Sequence, residues 1–137
     1  MTWSFHPAFY ELFQLLENQQ VPLYFHCTAG KDRTGLAALL ILLALGVTKE
    51  QALDDFELTN HYYAKKIKAA QEKHQLLCRF SKKARLLIQS SEGVTRLAAE
   101  HALQAILDKY ASFENYFYQE FGLDETRLEQ LRQNYTA

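Results

Sequence analysis

Ten residues, His26 to Gly35, stand between two apolar segments of different character. The segment before them, Val21–His26, is short, aromatic and nearly all apolar, which predicts a strand buried on both faces. The segment after them, Thr34 to Leu45, is longer, and Gly46 follows it, which predicts an apolar helix with a glycine at its C-terminal cap. A strand, a tight loop and a helix are therefore expected in this order, and no other feature constrains the fold as strongly.

Helices are also predicted on either side of this unit. The segment from Pro7 to Leu16 has proline in its first turn and an apolar face at helical spacing, formed by Phe9, Leu12, Phe13 and Leu16. Thr48 and Gln51 form a capping box that opens the next helix. Residues 49 to 75 are then expected to form either one bent helix or two consecutive helices.

The C-terminal half is expected to be helical almost to its end. One helix is predicted from Thr95 to Tyr110, because its apolar side chains share a face. Ser112 is the expected cap of a short helix that ends at Gly122, and Asp124 the expected cap of a last one. Residues 76 to 93 are compatible with helix or with short strands.

Composition limits the class of protein. The chain has 137 residues, a single-domain length, and a net charge of -1, which gives no general attraction to nucleic acid. Its longest apolar run, Leu36 to Leu45, is about half of what a bilayer requires, so stable membrane insertion is not expected. Two cysteines, Cys27 and Cys78, are too few for a disulfide framework and indicate a reducing compartment. We therefore expect one cytoplasmic domain covering residues 1–137.

The loop has the features of an anion site with a nucleophile. Successive backbone N–H groups around Gly30 can converge on one anion, and the N-terminus of the following helix adds positive potential. The same field favours thiolate over thiol at Cys27, and Arg33 can hold two phosphate oxygens. The residues expected to bind phosphate are Thr28, Ala29, Gly30, Lys31, Asp32 and Arg33.

A thiolate beside a phosphate site implies attack on phosphorus and a cysteinyl-phosphate intermediate that water later releases. Arg33 and the loop amides would stabilise the charge on the transferred group. Thr34 is placed to hydrogen-bond the Cys27 sulfur, and His26 is expected to order the loop. No metal or other cofactor is required, and His61, His74 and His101 lack ligand spacing.

A nucleotide-binding loop is the alternative that this glycine-containing segment must be distinguished from. That motif requires a glycine five residues before Gly30 and a Ser or Thr directly after Lys31. Phe25 and Asp32 occupy those two positions. The nucleotide-binding interpretation therefore fails.

The motif His-Cys-x5-Arg-Thr resembles the signature of protein tyrosine phosphatases. Its longer form, HCTAGKDRTG, is similar to a bacterial branch that acts on phosphotyrosine, phosphoserine or phosphothreonine, and phosphoinositides. The segments LAALLILLALGVTKEQALDDFELTN and ILDKYASFENYFYQEFGLDETRLEQL also resemble that branch, so the likeness covers most of the chain. It implies an α/β tyrosine-phosphatase-like fold, here mostly helical with one central strand.

The resemblance covers the C-terminal, catalytic-loop half of the family fold only. The family's N-terminal half supplies most of the sheet and the aspartate that protonates the leaving oxygen. In this chain Asp32 is the residue of the loop that we expect to replace that aspartate, either as an acid or by orienting water. The alternative is that Asp32 only pairs with Lys31 or Arg33. A lone strand cannot satisfy its backbone, so the chain is expected to be a fragment or to complete its sheet with a second copy, as a homodimer or by strand exchange.

Two functions remain open at this level. The first is a cysteine-dependent phosphatase acting on phosphorylated protein or phosphoinositide. The alternative is a truncated or non-catalytic phosphate-binding or interaction module that lacks the general acid. The basic stretches Lys65–Lys68 and Lys82–Arg85 are expected to be solvated faces, or to meet an anionic headgroup or membrane if the substrate is a phosphoinositide.

Overall fold

The computed structural model describes residues 6–136, and this part of the chain consists of helices and connecting loops. Leu45 and Gly46 follow the last turn of the helix that comes after the loop, and Gly46 has a φ of 88°. The nine helices of the described residues are α1 (His6–Glu17), α2 (Asp32–Ala44), α3 (Lys49–Tyr62), α4 (Ala64–Lys73), α5 (Gln75–Phe80), α6 (Lys82–Glu92), α7 (Arg96–Tyr110), α8 (Phe113–Phe121) and α9 (Glu125–Tyr135).

Helix α2 is the centre of the fold. It is apolar on almost every side, which is typical of a helix surrounded by others rather than one at the surface. It packs against α3, α8 and α9. Gly35 permits the close approach to α3, since a Cβ atom there would lie 2.9 Å from the Phe56 ring. The first turn of α2, which ends the loop, is therefore held against the core.

Aromatic side chains close the core on the side of α1 and α8. Phe13 lies between Phe117 and Phe121, with ring centroids 5.7 Å and 4.5 Å away respectively. All three side chains are almost completely buried. Such offset and edge contacts add to the apolar burial and join α1 to the C-terminal helices.

The predicted helix boundaries are largely confirmed. Thr48 Oγ1 accepts a hydrogen bond from the Gln51 backbone, as the capping box requires. Ser112 and Asp124 cap α8 and α9 in the same way, and Gly122 ends α8 in the left-handed conformation. Residues 49–75, expected to form one bent helix or two consecutive helices, form the two helices α3 and α4. Residues 76–93, which were compatible with helix or with short strands, are occupied by the helices α5 and α6.

The prediction of a central strand is wrong. Within residues 6–136 no strand is formed, and no other segment supplies backbone hydrogen bonds to positions 22–26. The expectation of burial on both faces also fails, because Val21 is 53% and Tyr24 is 86% exposed. A strand exists only through a neighbouring strand, and an apolar composition alone does not provide one. The family likeness therefore appears in this chain as a helical fold.

Candidate active site

The loop from His26 to Lys31 leads directly into the N-terminus of α2, where Arg33 and Thr34 lie in the first turn. Gly30 has a φ of +65°, a backbone conformation that other residues rarely adopt. No atom lies within 4 Å of the position that a Cβ would take at Gly30. The turn therefore requires glycine for its backbone conformation and not for space.

The Cys27 thiol is half-buried at the start of this loop. Burial opposes its ionisation, but the nearby Thr34 hydroxyl and hydrogen bonds from the backbone N–H groups of Thr34, Ala29 and Gly30 outweigh that effect. Together they lower the pKa of Cys27 from 9.0 to about 6. Cys27 is therefore mostly thiolate at neutral pH, as a nucleophile requires.

Thr34 contributes to this environment with a buried hydroxyl. The hydroxyl does not reach ordinary hydrogen-bond geometry with any described residue. The Cys27 sulfur is the group it acts on, since it contributes to lowering the pKa of the thiol. A buried hydroxyl without a close partner is costly, and such groups are typical of functional sites. The arrangement agrees with the predicted position of Thr34 beside the sulfur.

Arg33 and Asp32 lie on the exposed side of the loop. The Arg33 guanidinium donates a hydrogen bond to Thr28 Oγ1 over 3.2 Å, which brings both predicted phosphate-binding side chains together. Asp32 is the first residue of α2, where a carboxylate complements the positive helix terminus. Its carboxylate also lies 3.8 Å from the Lys31 ammonium. A pairing of Asp32 with Lys31 was one of the alternatives to a catalytic role that the sequence left open.

Lys31 makes contacts that the sequence did not predict, and the contact with phosphate stays a prediction. Its side chain is 7% exposed, and it is the charged residue that the described part of the chain buries. Its ammonium donates to the backbone carbonyls of Ser90, Ser91 and Gly93, at 3.4, 2.5 and 2.9 Å. An ammonium has three donors, which matches these three acceptors. Lys31 therefore anchors the loop to the end of α6.

Two supports of the loop were not predicted from the sequence. The Tyr63 hydroxyl donates to the Ala29 carbonyl at 2.5 Å, from the junction between α3 and α4. The Asn60 amide bonds both backbone groups of Val94, at 3.0 and 2.8 Å, which fixes the segment that Lys31 contacts. Both partners lie 34 positions away along the chain, and no local pattern signals such contacts.

His26 is exposed and contacts the loop where the prediction placed it. Its Nδ1 lies 3.2 Å from the carbonyl oxygen of Cys27, a hydrogen bond when that nitrogen carries the proton. Its ring also lies against Tyr24, with the centroids 5.5 Å apart. These contacts support an ordering role at the entrance to the loop.

A cavity of about 500 Å³ adjoins the loop on the side of Asp32 and Arg33. Its walls are mostly apolar and aromatic, with Ile106 and Tyr116 among them, and Lys109 and Glu120 supply charged groups. Cys27 does not line it. The cavity is therefore next to the loop that carries Cys27, but the thiol does not open into it.

No group of His, Cys, Asp and Glu side chains within residues 6–136 is arranged to hold a metal ion. In the same residues, no helix is both long and apolar enough to cross a bilayer. Cys78, the second free thiol, is buried in α5. Among the described residues the chemistry is concentrated in the loop that begins at Cys27.

Comparison with known proteins agrees with this geometry. A model of the tyrosine phosphatase family matches residues 1–137. This chain belongs to the tyrosine phosphatase family. It is 31% identical over 135 residues to a tyrosine-protein phosphatase of Nostoc commune, covering 95% of this chain and 45% of that protein. It is 60% identical over 38 residues to a candidate tyrosine-protein phosphatase of Cupriavidus necator, covering 28% of this chain and 14% of that protein. The chain spans less than half the length of both relatives.

Alkylation of Cys27 by iodoacetamide tests the depressed pKa. The rate should follow the thiolate fraction, so it should be half-maximal near pH 6 and fall about tenfold per pH unit below that value. Thr34→Val keeps the backbone N–H but loses the hydroxyl, so it should raise the midpoint while leaving it below 9.0. The measurement is the modified fraction of Cys27 by peptide mass spectrometry, with Cys27→Ser as the control for reaction at Cys78. A wild-type midpoint near pH 9 would contradict the site.

The anchoring role of Lys31 predicts a loss of stability on substitution. Lys31→Met keeps the length of the side chain but leaves three carbonyls without their donor, which should lower the free energy of unfolding by about 1–3 kcal/mol. Urea unfolding measures this change, and hydrogen exchange should show faster opening at Ser90 to Val94. The control is Lys65→Met, at an exposed lysine of α4. Equal stability of the two variants, with weaker vanadate binding by Lys31→Met alone, would favour the phosphate contact.

Proposed function

We propose that this protein hydrolyses phosphomonoesters through a covalent cysteinyl-phosphate intermediate on Cys27. The observation that carries the proposal is the pKa of Cys27, lowered to about 6 by a ring of hydrogen-bond donors at a helix N-terminus. Donors that stabilise a thiolate also suit the oxygens of a phosphoryl group. Arg33, in the same turn, supplies the cation that a dianionic ester requires.

The proposed reaction has two displacement steps. The Cys27 sulfur attacks phosphorus, so that a sulfur–phosphorus bond forms as the bond from phosphorus to the alcohol oxygen breaks. Water then attacks phosphorus, the sulfur–phosphorus bond breaks, and inorganic phosphate leaves with the thiolate restored. Arg33 and the loop amides hold the equatorial oxygens in both steps. The Thr34 hydroxyl stabilises the sulfur as it departs in the second step.

The leaving oxygen needs a proton in the first step. Asp32 is the carboxylate that the loop itself contains, with a side chain 65% exposed. A general acid must be held beside the leaving oxygen, and a side chain this open to solvent is held by few neighbouring groups. We therefore propose fast turnover only for aryl esters such as phosphotyrosine, whose leaving groups need little protonation. Phosphoserine, phosphothreonine and phosphoinositides follow as slower substrates.

The second candidate function is phosphate binding without turnover. It is favoured by the exposure of Asp32, since a side chain this open to solvent is poorly positioned to act as a general acid. The names of both relatives support catalysis instead.

We also propose a cytoplasmic location, because Cys27 acts only as a free thiolate and a reducing compartment maintains it.

Hydrolysis of an aryl phosphate by matched variants tests the proposal. Cys27→Ser should reduce the rate to background, because a hydroxyl has no comparable ionised fraction. Arg33→Met should lower kcat/KM by about 10²–10³, as expected when one main stabiliser of the transferred charge is removed. Arg79→Met, which removes an exposed guanidinium of α5, is the control and should keep the wild-type rate.

Vanadate separates the two candidate functions. For a phosphatase it should inhibit turnover and protect Cys27 from alkylation. Equal rates for the wild type and Cys27→Ser would remove the covalent mechanism. Protection by vanadate with no turnover of any aryl ester would establish the binding module instead.

We further propose that the backbone of residues 22–26 pairs with a segment of a second copy of the chain. Within residues 6–136 these positions receive no backbone hydrogen bond from other segments. Their exposure alternates, with Leu23 and Phe25 half-buried and Tyr24 and His26 exposed. Alternation of this kind suits an edge with one face against the helices. Unpaired N–H and C=O groups along such an edge are a template for another chain.

Hydrogen exchange as a function of concentration tests this pairing. The amides of Leu23 to His26 should be protected at high protein concentration and lose protection on dilution, together with a change in sedimentation from dimer to monomer. Amides of the buried helix α2 serve as the internal control and should stay protected throughout. A chain that sediments as a monomer at all concentrations, with fast exchange at these four residues, would contradict the proposal.

A further inference from the structure

Helices α4, α5 and α6 form a three-helix segment, residues 64–92, that lies outside the main core. None of its residues belongs to the central cluster of buried apolar side chains. Among its described side chains, Cys78 is the buried one. The three helices contact one another, and α4 follows directly from α3. We call residues 64–92 the basic segment, because Lys and Arg outnumber Asp and Glu in it.

The basic segment exposes large apolar side chains. Five of them are between 58% and 80% exposed: Leu76, Leu77, Phe80, Leu86 and Leu87. Amphipathic helices of a soluble protein normally bury their apolar face against a neighbour. Here the outer faces of α5 and α6 leave theirs in water. The two helices contact each other, and large apolar side chains exposed together on neighbouring helices are typical of an interaction surface.

Charge is distributed very unevenly between this segment and the rest of the chain. The basic segment contains eight Lys or Arg residues and two carboxylates, whereas the remainder contains seven Lys or Arg and fourteen carboxylates. All eight cations are exposed: Lys65, Lys66, Lys68, Lys73, Arg79, Lys82, Lys83 and Arg85. The near-neutral net charge of the protein therefore hides a strongly cationic surface on an acidic body.

The cations and the apolar side chains share the same faces. On α6, Lys82 and Lys83 precede Leu86 and Leu87 by four residues each, the spacing that places side chains one above the other. Ala84 and Ile88 are half-buried and each lies two residues from Leu86, so Leu86 is on the outer face of α6 together with Lys82. Leu87 is three residues from Ala84 and lies at the edge of the inner face, yet it is still 60% exposed.

On α5 the same arrangement recurs. Leu76 and Phe80 are four residues apart, and Arg79 is three residues from Leu76. All three lie away from the buried Cys78. On α5, and along the Lys82–Leu86 side of α6, apolar side chains and cations are therefore exposed next to one another.

We propose that the basic segment is a docking surface for an anionic lipid bilayer. Leucine and phenylalanine would enter the boundary between headgroups and acyl chains, and the lysines would stay among the headgroups, as in interfacial amphipathic helices. An anionic leaflet attracts such cations. Nucleic acid would use the cations but would gain nothing from exposed leucines, so lipid is the partner that uses both features. The proposal goes beyond catalysis at Cys27 and does not depend on it.

Vesicle co-sedimentation of the whole protein tests the proposal. Binding should be strong to an equal mixture of phosphatidylcholine and phosphatidylserine, weak to phosphatidylcholine alone, and reduced by added salt. The double variant K82Q/K83Q should weaken binding to the mixed vesicles about thirtyfold, since it removes two cations at the surface. The double variant L86S/L87S should weaken it about tenfold or more.

The control variant is Leu97→Ser on α7. Leu97 is 59% exposed, which matches Leu86 at 58% and Leu87 at 60%, but it lies in the acidic remainder of the chain. It should bind vesicles like the wild type. All variants should keep the wild-type helical circular dichroism and hydrolyse a soluble aryl phosphate at the wild-type rate, which separates loss of docking from loss of the fold.

Each of the following outcomes would overturn the proposal. Absence of binding to the mixed vesicles removes it directly, and equal binding to both kinds of vesicle removes the role of charge. Binding that L86S/L87S leaves unchanged, together with retention on a soluble polyanion such as heparin, would indicate a nucleic-acid-like partner. A dimer that L86S/L87S converts to a monomer, in the absence of vesicle binding, would identify a second copy as the occupant.

Discussion

The buried ammonium of Lys31 is the contact on which the arrangement of the site depends. It crosses from the phosphate loop to the carbonyls at the end of α6, 59 to 62 positions later in the chain. Burial of a charge is tolerated only where hydrogen bonds replace water. The three carbonyls do so, and they lie at a helix C-terminus, where the backbone dipoles favour a cation. One side chain thus neutralises a helix end and holds the loop.

Two neighbouring contacts make this anchor part of a network. Tyr63 bonds the loop at Ala29, and Asn60 bonds Val94, close to the carbonyls that receive Lys31. Tyr63, the first residue after α3, is therefore bonded to the loop itself. Val94, in the segment after α6, is bonded to α3 next to the carbonyls that hold Lys31. The loop gains a fixed shape from contacts outside itself, and that shape directs its N–H groups at the Cys27 sulfur. The low pKa of the thiol is a consequence of this order.

The sequence predicted what depends on neighbours along the chain. Thr48, Ser112 and Asp124 act as helix caps in the structure, because a cap needs only its own side chain and an N–H three residues later. Cys27 and Thr34 lie together for the same reason, seven positions apart across one loop and turn. Such contacts join residues that are close in the sequence, so a local pattern can predict them.

The features that were missed depend on distant partners. The contact of Lys31 with three backbone carbonyls could not be predicted, because those acceptors lie about sixty positions away in the chain. The segment Val21–His26 has the composition of a buried strand, but pairing is a property of two segments, and none of the described residues provides the second. Residues 76–93 were ambiguous in part because α5 has only six residues, too few to distinguish the spacing of a helix from the alternation of a strand.

The uneven charge of the chain also bears on how it would meet a surface. Fourteen carboxylates against seven cations outside residues 64–92 give the body a net repulsion from an anionic bilayer, whereas the basic segment is attracted to it. The two effects act in the same direction and favour one orientation, with the basic segment toward the lipid. Because Tyr63 and Lys31 fix the two ends of that segment to the loop, the orientation of the segment also sets that of the Cys27 site. In the proposed docking, the charge of the basic segment alone would therefore orient the loop, without the whole protein being basic.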